Sequence, residues 1–289
     1  MRQSDRWLST KLRAKKWLAS ITRRGMGRHV EALMTRSGEF VYLVHPSDFS
    51  VGRQLRYRGC YGNEELERLT KLLDKDSRLL IVGGHVGTIA IPASKACRSV
   101  DVIEANPVTA DLLEKNIALN HCHNVTLHRF AAGDRDGTIE FLAASTNSGG
   151  SKIKPRTDSP LYRIDADQQI TVPMRQLDEI FDERQFDVIL MDIEGAEVMA
   201  MNGMRRLIDR CDDFIVEFVP HHLRNVANAS VEDFLRPLAD FESMMMSGGE
   251  THTGTRQHYK ILQNCFEHDV SDDSVHFSRR SQSSAKAAA

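Results

Sequence analysis

The sequence predicts an α/β domain built on a doubly wound, mostly parallel sheet, and three observations predict it. The first is the stretch 78–107, RLLIVGGHVGTIAIPASKACRSVDVIEANP. It holds an apolar run, a glycine turn, a helix-like segment and a second apolar run closing on Glu104, the pattern of a nucleotide-binding half-sheet. The second is the alternation of short apolar runs with helical segments from residue 79 onward, which calls for right-handed crossovers and a parallel sheet. The third is where the acids fall. Glu104, Asp192, Glu194 and Glu217 stand at or near the ends of apolar runs, the side on which open α/β sheets bind ligands.

Residues 1–28 carry nine Lys/Arg against the single Asp5, with Trp7, Leu8, Leu12, Trp17, Leu18 and Ile21 set loosely along one helical face. A basic amphipathic segment of this kind leaves peripheral contact with an anionic membrane open, although Lys11 and Lys15 interrupt the apolar face. Residues 29–77 read as a cap: a strand at 39–44 and a helix at 63–73, with Asn63 as its N-cap candidate. The domain proper is expected over 78–268. Strand one is 79–82, followed by a helix at 88–97; strand two is 100–104, followed by a helix at 109–120 opened by Asn106-Pro107; strand three is 125–130. Two further strand-like runs, 137–142 and 170–174, bracket a long polar stretch, 143–169, with Lys152, Lys154 and Arg156; a loop of that length within a domain is usually functional or disordered. Strand four is expected at 186–191, a helix at 198–208, strand five at 214–219, a helix at 231–238 and weak strands near 241–246 and 258–262, seven in all for the main sheet. Residues 269–289 read as a disordered polar tail.

At 289 residues and 41% apolar content, the chain suffices for one sizeable core. A net charge of −2 predicts no bulk attraction to nucleic acid. The five cysteines are scattered and form no CxxC pair, which reads as reduced thiols and a cytoplasmic setting. No run of 18 apolar residues predicts a membrane span. The sequence carries no signal for an oligomeric state.

The ordered set VGGHVG, VIEANP, FAAGDRDGTIEF, VPMRQLDEI, MDIEGAE and FIVEFVP resembles the FkbM-type methyltransferase family, class I enzymes dependent on S-adenosylmethionine. The most distinctive element is 191–197, MDIEGAE, because no generic α/β fold requires it. The resemblance implies that Gly83, Gly84, His85 and Gly87 cradle the methionine part of the cofactor, that Glu104 holds the ribose hydroxyls, and that Ala131 and Ala132 flank the adenine. It also implies that Asp192 sits beside the sulfonium and the acceptor. The family's first motif runs Asp-x-Gly-Ala-Asn-x-Gly; here Ile81 replaces the acid, which helps to fix the cofactor's amino group, and His85 replaces the Asn. His85 either donates to the cofactor carboxylate in that Asn's place or caps the following helix.

The implied reaction is methyl transfer to a hydroxyl of a small-molecule or carbohydrate acceptor. Asp192 is the first candidate for the general base, with Glu217, His221 and then His222 behind it. Asp192, Glu217 and His221 carry atoms that could ligate a divalent metal, but no spacing demands one and none is predicted. The insert 143–169 is the expected acceptor-recognition loop. Two other readings stand beside this one. A relative that kept the fold and lost catalysis is compatible with Ile81 and His85. An NAD-dependent oxidoreductase shares the strand–glycine–helix–acid pattern, but GGHVG lacks the full G-x-G-x-x-G spacing.

Overall fold

A computed structural model describes residues 3–27, 29–157, 162 and 168–279. In chain order the first strands are β1 (Leu33–Ser37), β2 (Phe40–Val44), β3 (Arg78–Val82), β4 (Ser99–Ile103), β5 (Val125–His128), β6 (Ala131–Ala132) and β7 (Gly137–Ala143). They are followed by β8 (Lys152–Ile153), β9 (Gln168–Arg175), β10 (Val188–Met191), β11 (Asp213–Phe218), β12 (Ser243–Met245), β13 (Thr251–Thr253) and β14 (Asp272–Ser278).

Strands that are apolar at every position must be covered on both faces, and the main sheet meets that demand residue by residue. Leu79 and Ile81 of β3, Val188 and Leu190 of β10 and Ile215 of β11 face one core cluster. Leu80, Val82, Ile189, Met191, Phe214 and Val216 from the same strands face the other. This is the two-residue period of a strand, with helices on either side. The sheet order is β13-β12-β14-β11-β10-β3-β4-β5. The run β5-β4-β3-β10-β11 is parallel, whereas β14 runs antiparallel to both β11 and β12. The sheet is therefore mostly parallel as expected, but it is mixed and has eight strands where seven were expected. Two of its strands were not expected, the edge strand β13, antiparallel to β12, and β14, while one expected strand, 258–262, is helical.

The last third of the chain corrects the sequence reading most. Residues 258–262, expected as a strand, lie in the helix Thr255–His268, which buries His258, Leu262 and Cys265. Part of the expected tail is β14, inserted between β11 and β12; residues 280–289 lie outside the described residues. The expected helix 198–208 is two, Glu197–Asn202 and Arg205–Arg210. They separate at Gly203, where a Cβ would stand 1.8 Å from the Gly133 carbonyl oxygen, so the backbones meet only because no side chain intervenes. The expected helix 88–97 is helical only over Ala90–Ala93. Asn63 is the first residue of its helix and not its cap; Gly62 takes the capping position at φ +70°.

The cap is docked by two asparagines. Asn116 and Asn120, on the helix Pro107–Leu119 and just after it, treat β2 as a strand edge. Asn116 Oδ1 accepts from Leu43 N at 2.7 Å and its Nδ2 donates to Leu43 O at 3.1 Å. Asn120 repeats the pair with Val41 at 2.9 and 2.7 Å. A second sheet, β6-β9-β7-β8, stands where the alternation broke, with β7 and β9 paired antiparallel from Gly137↔Met174 to Ala143↔Gln168. The N-terminal segment forms the helix Gln3–Met26, on which Trp17, Leu18 and Ile21 are exposed. No described helix is long and apolar enough to cross a membrane.

Candidate active site

Register explains why the predicted acids meet. Val82 pairs with Ile103 and with Met191, and Met191 pairs with Val216. Gly83, Glu104, Asp192 and Glu217 are each the next residue, so the four stand side by side beyond the carboxyl ends of adjacent parallel strands. There the first three border a cavity of about 340 Å³, within the usual range for a small-molecule site. The structure brings Gly83, Gly84, His85, Glu104, Ala131, Ala132 and Asp192 to its wall together with Phe130 and Glu194. Gly87, Glu217 and His221 do not line it.

The glycines serve packing. Gly83 sits at φ +102° with its Cα facing the Asp192 carbonyl, where a Cβ would come within 1.8 Å. Cβ atoms on Gly84 and Gly87 would strike Val102 and Leu113. Nor are the turn's first amides free to cradle an anion: Gly83 N and Gly84 N both donate to Ile103 O, and His85 N donates to Glu104 Oε2 at 2.7 Å. Glu104 is 8% exposed. Its Oε1 accepts from Asn106 N at 2.8 Å. Burial outweighs these bonds and pushes its carboxyl up to about 7. Ala105 N acts on the same carboxylate, and the acceptor capacity that remains is what a ligand hydroxyl can use.

Asp192 is exposed to the open cavity although protein encloses it. That desolvation, followed by the charges of Glu194, Glu65 and Glu197, holds its carboxyl well above the usual carboxylate range. Glu217 is raised in the same way, first by burial and then by Asp192 and Glu194. Glu197, the first residue of its helix, reaches back to accept from Ile193 N and Gly195 N, fixing the turn in which Glu194 adopts φ +56°.

The histidine that reaches these acids is His222, not the exposed His221. Oxygens of Glu194 and Glu217 and a ring nitrogen of His222 all lie within 4.8 Å of one another. Lys152 from the insert enters the same cluster, donating to Glu194 Oε2 at 3.0 Å and standing 3.2 Å from His222 Nε2. With Lys152 as an ammonium, Nε2 is the acceptor and Nδ1 carries the ring proton. Nδ1 is buried without a hydrogen bond, 3.5 Å from Glu194. Burial, then Lys152, keeps His222 neutral by lowering its pKa far below the ordinary value. In this arrangement the ring offers a metal no lone pair, and the ammonium already supplies the cation.

Sequence reasoning singled out the insert as a unit, but not the individual residues that it and the cap deliver. Ser50, Tyr61 and Glu65 arrive from the cap, and Asn147, Ser148 and Ser151 from the insert. Burial pushes Glu65 up to about 7. Tyr61 is raised too, by burial and then by Asp192 and Glu65, so its phenol stays a donor. No local signal marked them, because they reach the cavity only through the docking of separate units. Of the basic run, Lys152 turns inward, Lys154 pairs with Glu140 on the surface, and Arg156 is exposed. Residues 158–161 and 163–167 of the insert lie outside the described residues.

A cavity beyond parallel strand ends, with a diol-sized acceptor at Glu104 and small residues at Ala131 and Ala132, fits S-adenosylmethionine in size and donor chemistry. The methyltransferase FkbM domain family matches residues 82–244. Among solved structures, a methyltransferase FkbM from Methylobacillus flagellatus KT is 17% identical at a TM-score of 0.39, over 70% of this chain and 43% of that one. This chain thus spans less than half of that protein's length. An rRNA methylase from Streptococcus thermophilus is 8% identical at a TM-score of 0.44, over 75% and 95%. TYW2 of M. jannaschii, solved in complex with AdoMet, is 11% identical at 0.42, over 87% and 86%. No curated protein matches the sequence. By its match over 82–244, the chain belongs to the FkbM methyltransferase family, on an α/β fold of the class I methyltransferase type.

Proposed function

We propose that the protein transfers a methyl group from S-adenosylmethionine to a hydroxyl of a small-molecule or carbohydrate acceptor in the cytoplasm. The observation that carries this reading is the alignment of Glu104 and Asp192 on opposite sides of Gly83 at one end of the sheet. S-adenosylmethionine, when bound, supplies a methyl group activated on a sulfonium. The chain's own residues do the rest. Glu104 takes the ribose diol on its two oxygens, and Phe130, Ala131 and Ala132 offer a flat apolar wall to the adenine. Asp192 accepts the hydroxyl proton of the acceptor, and the burial and neighbouring carboxylates that raise its carboxyl strengthen it as a base. Tyr61, held protonated, can donate to the acceptor.

Two features support a small acceptor. Ser50, Tyr61, Asn147 and Ser148 narrow the cavity from the cap and the insert. The carboxylates Glu65, Asp192 and Glu194 make its wall acidic, unsuited to a phosphate backbone. The unpaired state of all five cysteines supports a reducing compartment.

The test is incubation with S-adenosylmethionine and pooled hydroxylated metabolites, read as S-adenosylhomocysteine release and the gain of one methylene in mass. Transfer by the wild type that disappears in Asp192→Ala, with cofactor binding retained, supports the reading. Tight cofactor binding without transfer to any pool would instead favour a relative that has lost catalysis.

A further inference from the structure

The departure at positions 81 and 85 has a structural counterpart. Ile81 is 1% exposed and packed in the core with Leu69, Ala90 and Val102. Its strand therefore ends without any polar side chain toward the cavity. His85 stands where such a group would be useful. It lines the cavity at φ +47°, a conformation few non-glycine residues adopt, and a relay through the insert to the cap holds its ring. Nε2 lies 2.7 Å from Ser148 Oγ, and Ser148 Oγ lies 2.6 Å from Asp48 Oδ2. Asp48 is 1% exposed, and its other oxygen accepts from Ser50 N at 2.7 Å. The bond from Phe49 N to Thr146 O ties the two loops together.

Proton counting fixes the ring. A serine hydroxyl has one hydrogen, and the Asp48 carboxylate can only accept it. Ser148 must then accept from His85, so the proton of the neutral imidazole sits on Nε2. Burial keeps the ring neutral by lowering its pKa, against the opposing charges of Asp48 and Glu194. Nδ1 is left as a lone-pair acceptor, with no hydrogen bond to it among the described residues. This reverses the donor role that was one of the two readings of the side chain. It calls for an N–H or O–H on whatever fills this end of the cavity.

S-adenosylmethionine offers three such groups: the adenine amine, the ribose diol and the α-ammonium. The apolar wall at Phe130–Ala132 suits the adenine, and the two oxygens of Glu104 match the two diol hydrogens. On this basis, and resting on the cofactor assignment proposed above, we infer that His85 Nδ1 accepts a hydrogen bond from the cofactor's α-ammonium. Ser148 and Asp48 are the positioning residues that hold the ring in the accepting tautomer. A neutral imidazole thus takes the place of a carboxylate at the strand end, and the cap and the insert both become part of the cofactor site.

Calorimetry should compare S-adenosylhomocysteine with its deamino and 3′-deoxy analogues on the wild type, Ser148→Ala and His85→Phe. The wild type should prefer the parent over the deamino analogue by roughly tenfold or more, as expected for a hydrogen bond to a charged group. His85→Phe should reduce that preference to about threefold or less, and Ser148→Ala should lie between. Nitrogen-15 spectra of histidine-labelled wild type should show His85 neutral and protonated at Nε2, a readout that does not depend on the variants folding. An unchanged deamino preference in His85→Phe overturns the inference. So does a change that follows the 3′-hydroxyl instead, or a ring protonated at Nδ1. Failure of the wild type to bind any of the three ligands would sink the cofactor assignment itself, a different outcome from these.

Discussion

Asp192 and Glu217 stand at the same level of neighbouring strands, yet only Asp192 lines the cavity. Burial and Glu194 raise both, and Asp192 raises Glu217 further; the one in the cavity is the one placed to take a proton. Asp192→Asn should lower methyl transfer by about a hundredfold or more while changing S-adenosylhomocysteine affinity by less than about threefold, as measured by steady-state kinetics beside calorimetry. Lys152 has another role. It bridges Glu194 and His222 with its side chain 8% exposed, and its removal leaves Glu194 facing Glu217 without a cation. Lys152→Met should cost about 1–3 kcal/mol in urea unfolding, below the figure for a fully buried pair because Glu194 is partly exposed. At this scale the strand-end acids were readable from sequence, because strand direction alone delivers them to one edge. The choice of His222 over His221 was not, since adjacent residues in a helical turn point apart. Ser148 and Asp48 were not either: their bond spans 100 residues, and no spacing rule connects them.

Elements were legible where their own pattern decided them. The parallel strands are continuous apolar runs, and β7 and β9 were found within two residues at either end. β14 was misread because its sequence, DDSVHFS, buries polar residues. Asp272 is tolerated inside because its oxygens accept from Ser247 N and Oγ and from Ser274 N, a local network that hydropathy does not see. The helix Thr255–His268 did carry a signal: His258, Leu262 and Cys265 recur at helical spacing. Docking between elements was invisible. Asn116 is fully buried on its helix, bonding Leu43 and also Val86 O at 2.9 Å, yet in sequence it is one polar residue among many. Asn116→Ala should strip Leu43 of its partners, leaving only the Asn120 pair on the β2 edge, and cost about 2–4 kcal/mol, judged from three lost bonds to backbone groups that are buried or partly buried. Chemical denaturation would measure the loss, and an effect below about 0.5 kcal/mol would show that the cap is held by other contacts.

For the whole molecule, the site imposes a pH dependence on stability. Glu104 and Glu65 are held near 7 in the folded protein against an ordinary 4.5. Between those values the folded state keeps protons that the unfolded chain releases, so this contribution falls as pH rises through the window and is constant above it. Each pH unit of displacement is worth about 1.4 kcal/mol per group. The buried neutral rings of His85 and His222, lowered from the ordinary 6.5, contribute with the opposite sign, so the Glu104 contribution is read as a difference: between about pH 5 and about pH 7 the urea midpoint of the wild type should fall relative to that of Glu104→Gln. The same carboxylate serves the larger claim that the cavity at the strand ends is an S-adenosylmethionine site organised around Glu104. Calorimetric titration of S-adenosylhomocysteine into wild type and Glu104→Ala tests it most directly. The wild type should bind one equivalent, and the variant should lose about tenfold or more in affinity. No binding at millimolar ligand, or equal affinity for the two proteins, would contradict it.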